Sequence, residues 1–285
     1  MILPYQWLVR LNRGHYKFKR PSDDPIAYSR WEYDEGRKVW ERFFAKRVGI
    51  EKQDVLDLGC GPGGKTCFLA TLKPKRVVGG DFASDLIQKA EQAREILLPP
   101  EDRIRVEFVC IDATDLPFPD KYFDIITCSD AFEHFSKPEE VFKQAVRVLK
   151  PGGLLAIDFA QWGSYNGHHL GDFLKTPWSH VFWSETAVSK TVKILAKEER
   201  DKLTYSEEQR MLDDLLKRRL DQFHNGLNHL SLARFEHFIR NEKQIMVRWQ
   251  KKTSAFPYLW PLIFIPGLRE LAVARNVYIL ERAMI

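Results

Sequence analysis

Nowhere in the 285 residues does an apolar run reach the roughly 20 residues needed to span a bilayer. The most apolar stretch, AFPYLWPLIFIPG at 255–267, is too short and holds three prolines. Three readings of it stay open: contact with a membrane surface, the lining of a greasy pocket, or a buried loop. Cysteine is scarce. Cys60, Cys67, Cys110 and Cys128 include no CxxC and no His/Cys pairing, which argues against a disulfide framework and a zinc site. No metal is therefore expected, and a reducing cytoplasm is the default location. There is no internal repeat and no low-complexity tract, so a solenoid or array is excluded. No apolar segment followed by small residues opens the chain, and a cleaved leader is not expected.

Acid is missing from residues 1–20, which hold Arg10, Arg13, Lys17, Lys19 and Arg20. The formal net charge of the whole chain is +5, so everything after this arm is neutral. Tyr5, Trp7, Tyr16 and Phe18 interleave with the basic residues, a mixture that can sit on anionic lipid or on nucleic acid. The preferred expectation is plainer: the arm packs on its own domain with its charges solvated. A neutral body argues against a large nucleic-acid footprint, so no nucleic-acid partner is expected.

What is present is an ordinary globular composition, 44% hydrophobic. Residues 26–47 have helical spacing, with Trp31, Val39, Trp40 and Phe43 as apolar positions. Largely apolar runs then predict strands over 55–58, 76–79, 105–109, 123–128 and 154–159. Helices are predicted between them near 64–72, 84–97 and 137–149. Such alternation implies a parallel, doubly wound sheet. Residues 161–183 read as loop and 184–240 as two or three charged helices. Strand candidates at 244–250 and 277–280 follow.

The segment VLDLGCGPGGKT at 55–66 satisfies three patterns. Gly59, Gly61 and Gly64 form the dinucleotide fingerprint GxGxxG. Gly59 through Thr66 form the phosphate-binding GxxxxGKT. Asp57, Gly59, Gly61 and Gly63 form DxGxGxG, which binds S-adenosylmethionine (SAM). Each match alone is weak. Charge separates them. A carboxylate at Asp57 would repel phosphates brought to this turn unless it faced away, whereas the ammonium and sulfonium of SAM are helped by an anion. Asp81 ends the next strand, where a carboxylate suits ribose hydroxyls; it has no role in a P-loop. On the SAM reading, Lys65 and Thr66 only begin a helix and are expected to be dispensable. The strand LLAID at 154–158 is the one point kept by the nucleotide reading.

Taken together, DLGCGPGG, VVGGDFASDLIQKA, CIDATDLPFPDKYFDIITCSDAFEH and VLKPGGLLAIDF resemble, in order, the motifs of the class I SAM-dependent methyltransferases. The likeness is to the broad type-11 group that includes the ubiquinone and menaquinone enzymes, and it covers about 55–159. It implies cofactor-binding roles for Asp57, Gly59, Gly61, Asp81, Phe82, Asp112 and Ala113, with Cys60, Gly63 and Ser129 as further candidates beside them. It also implies two more strands, one antiparallel. The expected architecture is a Rossmann-like, doubly wound, mostly parallel seven-stranded α/β sheet with an N-terminal helical arm and a helical cap insertion. The expected divisions are 1–47 for arm and helix, 48–160 for the SAM-binding core, 161–242 for acceptor loop and cap, and 243–285 for the closing strands.

Glu133 and His134 follow the fourth strand; the pair is read equally as structural or as catalytic through His134. His168 and His169, in SYNGHHLGDF, lie just past the fifth strand with Asp172 and His180 nearby. Either histidine could deprotonate an acceptor; two histidines and one Asp at this spacing are a weak metal signal, and the plainer reading is a solvated or hydrogen-bonded loop histidine. The expected function is methyl transfer from SAM to an O, N or C nucleophile of a small-molecule acceptor, apolar or lipid-like. Membrane contact would run through the arm or 255–267. The alternatives are a P-loop-like nucleotide-binding protein and a non-catalytic SAM-fold subunit.

Overall fold

The computed structural model describes residues 4–20 and 24–284. Its longer helices, in chain order, are α1 (Tyr5–Asn12), α2 (Ala27–Val39), α3 (Gly64–Thr71), α4 (Ser84–Leu97), α5 (Pro138–Val148), α6 (Glu185–Arg200), α7 (Ser206–Asn225) and α8 (Leu232–Asn241). The strands are β1 (Asp54–Leu58), β2 (Arg76–Asp81), β3 (Val106–Cys110), β4 (Phe123–Ser129), β5 (Leu149–Phe159), β6 (Ile245–Ser254) and β7 (Val273–Arg282). Two compact units result. A sheet unit takes residues 24–159, 233–251 and 276–284, and a helical unit takes 4–20, 160–232 and 252–275.

In the sheet unit the strand order is β3-β2-β1-β4-β5-β7-β6. The pairs β1–β2, β1–β4, β2–β3 and β4–β5 are parallel, and β5–β7 is antiparallel. This is the expected seven-stranded, mostly parallel α/β sheet. Central strands are apolar because both of their faces are covered: four of the five residues of β1 are buried. The outer strand β6 is mostly exposed and carries Arg248, Lys251 and Lys252, charges that discourage edge-to-edge pairing.

One core cluster packs Val55, Val77 and Ile125 of the sheet against Cys67, Phe68 and Ala90 of α3 and α4. Trp40 and Phe43 join it from a π turn, Trp40–Phe44, that prolongs α2. Trp31, expected on the apolar face, is instead 54% exposed and stacks on Tyr28. The buried face of α2 is polar, made by Ser29 and Glu32. A second aromatic cluster centres on Phe235 of α8, which meets Phe159 at 4.7 Å, Tyr278 at 5.2 Å and Phe132 at 5.3 Å between ring centroids. The Arg282 guanidinium donates to the carbonyls of Val146, Arg147 and Leu149, tying β7 to the turn between α5 and β5.

The helical unit has its own core, in which Leu8 and Val9 of α1 pack with Leu170, Phe173, Val192 and Leu195. The basic arm is thus a docked element. Asn12 Oδ1 accepts from the amides of Lys175 and Thr176 at 2.8 and 3.0 Å. Arg13 pairs with Glu198 at 2.7 Å. Helix α6 starts at a Ser184 cap and buries Val188, Val192 and Leu195, whereas α7 buries only Leu212 and Phe223.

Candidate cofactor and active site

Parallel register brings the carboxyl ends of β1, β2 and β4 together: Leu58 lies beside Gly80, and Asp57 beside Thr127. The glycine turn leaves β1 there. Gly59, Gly61 and Gly63 have φ of +76°, +54° and +80°, where a Cβ is strained. Protein neighbours also exclude side chains at two of them. A Cβ on Gly59 would come within 2.6 Å of Ala131 Cβ, and one on Gly63 within 2.7 Å of Ala90 Cβ. Gly61 differs, because the nearest atom to its missing Cβ is Glu32 Oε1 at 3.7 Å. The tip of the turn is therefore open for backbone to approach a ligand.

Asp81 joins this turn to β2. Its Oδ2 accepts from Gly61 N and its Oδ1 from Ala83 N, both at 3.0 Å. A carboxylate has about four acceptor positions, so two protein bonds leave capacity for ribose hydroxyls. Phe82, next in the chain, is 79% exposed. Asp112 is exposed past β3; its Oδ1 accepts from Thr114 N and Oγ1, which holds the carboxyl below its usual range. Ala113 and Ser129 are half-buried, and burial pushes the Cys60 thiol well above its ordinary value.

The expectation that Lys65 and Thr66 merely begin a helix is corrected. Thr66 is fully buried, and its hydroxyl donates to Asp57 Oδ2 at 2.6 Å. Thr127 donates to Asp57 Oδ1 at 2.8 Å. Asp57 is thereby held beneath the turn, and burial raises its pKa against the pull of both hydroxyls. Lys65 lays its stem against Gly36 of α2 and donates from Nζ to Ser129 O at 2.8 Å and Asp130 Oδ2 at 3.1 Å. Burial would lower Lys65, but Asp130, Asp158 and Glu32 outweigh it and hold the ammonium above its usual range. With both side chains committed inward, neither is presented to a phosphate or a magnesium ion. The GxxxxGKT reading loses its two chemical residues.

The same edge holds two carboxyls with an unsatisfied oxygen. Glu133, on the turn Phe132–His134, is buried with Oε2 unbonded; burial first, then Asp130, pushes it up to about 8. His134 beside it is exposed. Glu32 of α2 is buried with Oε2 unbonded and is pushed up to about 7, mainly by burial.

The remaining expected histidines belong to the helical unit. His168 is 1% exposed, and its Nδ1 accepts from Leu170 N at 2.9 Å. Burial, then His180 and His169, lower it to about 3. His169 is half-buried at a φ of +55°, with Nδ1 at 3.4 Å from Gln222 Nε2. Asp172, close to them in sequence, pairs with Arg219 at 2.6 Å. His180 bonds the Trp162 carbonyl through Nε2 at 2.6 Å. His134 thus falls in one unit, and His168 and His169 in the other.

A SAM-shaped ligand fits the sheet-unit residues on two observations: an open cradle at Gly61 that a Cβ would narrow, and an unsatisfied buried carboxylate oxygen at Glu32. Sequence reasoning missed Glu32 and the roles of Lys65 and Thr66. The available signal was the small, polar series Ser29, Glu32 and Gly36 within an otherwise bulky helix.

Residues 56–157 match the profile of a methyltransferase domain family. The chain is 29% identical over 192 residues to the 2-methyl-6-phytyl-1,4-hydroquinone methyltransferase of Synechocystis, covering 63% of this chain and 55% of that one. It is 32% identical over 150 residues to the fatty-acid O-methyltransferase of Mycolicibacterium smegmatis, covering 51% and 50%. The chain therefore spans about half the length of these curated relatives. A solved SAM-dependent methyltransferase from Mesorhizobium loti shares the fold, with a TM-score of 0.55 at 14% identity over 87% of this chain and 99% of that one.

Proposed function

We propose, from the class I SAM-dependent methyltransferase domain that this chain carries over residues 56–157, that the protein methylates a small or apolar acceptor. The observation that carries the reading is the clamp of Asp81 on Gly61, with open space beyond the Gly61 backbone. When bound, SAM supplies an electrophilic methyl whose leaving group is a neutral thioether. The chain's own tasks are then few. Asp81 receives the ribose hydroxyls, the turn lets backbone close on the ligand, and Phe82, Asp112 and Ala113 serve the adenine side. Positioning supplies much of the acceleration. A base is needed only if the acceptor must lose a proton. For that role His134, in the same unit as the glycine turn, is the candidate we retain; His168 is buried, already accepts an amide bond and, lowered to about 3, is a weak base.

The relatives are named for methylation of a phytyl hydroquinone and of fatty acids, which supports an apolar acceptor. So does the exposed apolar surface of the helical unit: Tyr258, Phe264 and Leu268 are 73%, 71% and 44% exposed on and beside the 3-10 turn Pro257–Phe264. This turn is our choice for contact with a lipid surface, ahead of the arm, two of whose arginines already pair with Glu198 and Glu207. Among the described residues no helix is long and apolar enough to cross a membrane.

The test is calorimetry with S-adenosylhomocysteine, ATP with magnesium, and NAD. Binding of the first alone is expected; tight magnesium-dependent ATP binding would overturn the reading. Labelled SAM with a panel of prenyl quinols, fatty acids and sterols then identifies the acceptor class.

A further inference from the structure

Helix α2 turns an unusual face to the sheet unit. Its buried residues are Ser29 and Glu32 rather than apolar side chains. With Gly36 they form a stripe at i, i+3 and i+7, one side of a helix. Every member addresses the glycine turn or α3. Ser29 Oγ donates to Pro62 O at 2.8 Å. The Cβ of Glu32 stands 2.7 Å from the place a Cβ on Gly64 would take, and Gly36 makes room for the Lys65 stem. The stripe delivers one carboxyl group to the open side of Gly61, 3.7 Å from its missing Cβ.

That carboxyl is incompletely satisfied. A bond from the Gly64 amide accounts for some of its capacity, yet Oε2 is buried with no hydrogen-bond partner. An acceptor in that state bears its desolvation cost uncompensated. Lys65 is the nearby cation, but its ammonium already donates to Ser129 and Asp130. A structural brace for α2 would not need an ionisable group with a vacant oxygen. A receptor for a cationic ligand would.

Resting on the SAM reading of this site, we infer that Glu32 is the carboxylate that receives the α-ammonium of the cofactor's methionyl end. An ammonium brings three donors, and a charge-assisted bond in a dry site is the strong kind. The groups facing Glu32 are Lys65 from α3, Asp57 from β1, Asp130 after β4 and the Gly64 amide. Burial outweighs Lys65 and pushes the carboxyl up to about 7. Near neutral pH the free protein therefore holds a proton there that must leave as the ammonium docks.

The experiment compares two probes by calorimetry on the full chain: S-adenosylhomocysteine, which has the amino-acid end, and 5′-methylthioadenosine, which lacks it. In Glu32→Gln, S-adenosylhomocysteine should bind about ten- to a hundredfold more weakly, with methylthioadenosine unchanged. Wild-type affinity for S-adenosylhomocysteine should also rise between about pH 6 and 8, and the variant should lose that slope. Glu32→Asp, which keeps the charge on a shorter stem, should recover part of the affinity and guards against loss of fold, checked by thermal melting. If the wild type binds neither probe, the SAM reading itself fails. If the wild type binds both and Glu32→Gln changes neither, or weakens both alike, the site stands and the assignment to Glu32 is overturned.

Discussion

The sheet unit and the helical unit bury their ionisable groups in opposite senses. Under the glycine turn the buried groups are carboxyls, Glu32, Asp57 and Glu133, gathered around one ammonium, Lys65. In the helical unit burial would raise Glu199, but Lys202 and the Phe18 amide hold it below the usual carboxyl range. The groups that burial shifts furthest there are the imidazoles of His168 and His180, lowered to about 3 and about 4. The consequences for stability run in opposite directions. A raised carboxyl holds a proton in the folded state that the unfolded chain has released, so its contribution is full below its unfolded pKa. That contribution is lost as pH rises through about 7 for Glu32 and about 8 for Glu133. A lowered imidazole contributes above its unfolded pKa, near 6.5, and that contribution is lost as pH falls toward 4 and 3. Groups buried only to fill space are neutral at working pH. Of the three carboxyls, Glu32 and Glu133 each keep a buried oxygen without a bond, whereas both oxygens of Asp57 accept from hydroxyls.

The sharpest way to break this contrast is Lys65→Ala. Removing the ammonium leaves Asp130, Asp158 and Glu32 without the charge that faces them. Loss of one partner of a fully buried pair costs about 3–5 kcal/mol; with Lys65 17% and Asp130 39% exposed, denaturant titration should show a smaller loss, about 2–4 kcal/mol. A loss under about 1 kcal/mol would mean that the carboxyls are satisfied without it. The helical unit should answer to acid instead. Between pH 6.5 and about 4, stability should fall by up to about 1.4 kcal/mol per pH unit for each buried histidine. His168→Gln should flatten that slope, and an unchanged slope would refute the assignment. Asn12→Ala comes next. It removes the oxygen that accepts from Lys175 and Thr176, at a cost of about 1–3 kcal/mol, and tests whether the basic arm is a structural part of the helical unit. The smallest effect belongs to Arg219→Ala. Its pair with Asp172 is solvent-exposed, and the change should stay below about 1 kcal/mol and shrink further in salt.

What could be read from the chain, and what could not, follows the same division. The strands of the sheet unit announced themselves because double burial demands unbroken apolar runs, and Asp81 did so because a carboxylate at the end of the strand that follows the glycine turn is chemically restrictive. The order of the last two strands was not legible in their own residues, since β6 is largely exposed and resembles a charged loop. Lys65 and Thr66 were misread because a motif records spacing and not direction; both point into the protein. Glu32 sits outside every motif, and its helix was judged by Trp31, which faces away. In the helical unit no short pattern tells which loop histidine will be buried. His168 was selected for its place in the chain, and its burial is a property of the folded unit alone.

The position of β7 between β5 and β6 has a consequence for how the protein is made. Synthesis runs from the amino end, so the ribosome delivers β5 well before β7, and β6 before its only sheet neighbour among the described residues exists. Until Val273–Arg282 has emerged, one flank of β5 offers an unpaired ladder and β6 has nothing to join. Nor can the carbonyls of Val146, Arg147 and Leu149 receive the guanidinium that later secures them. The nascent chain therefore passes through a stage in which β1 to β5 have all been synthesised while the seam beside β5 is open. That interval is when a chaperone has most to cover and when a second nascent copy finds a strand edge to which it can add.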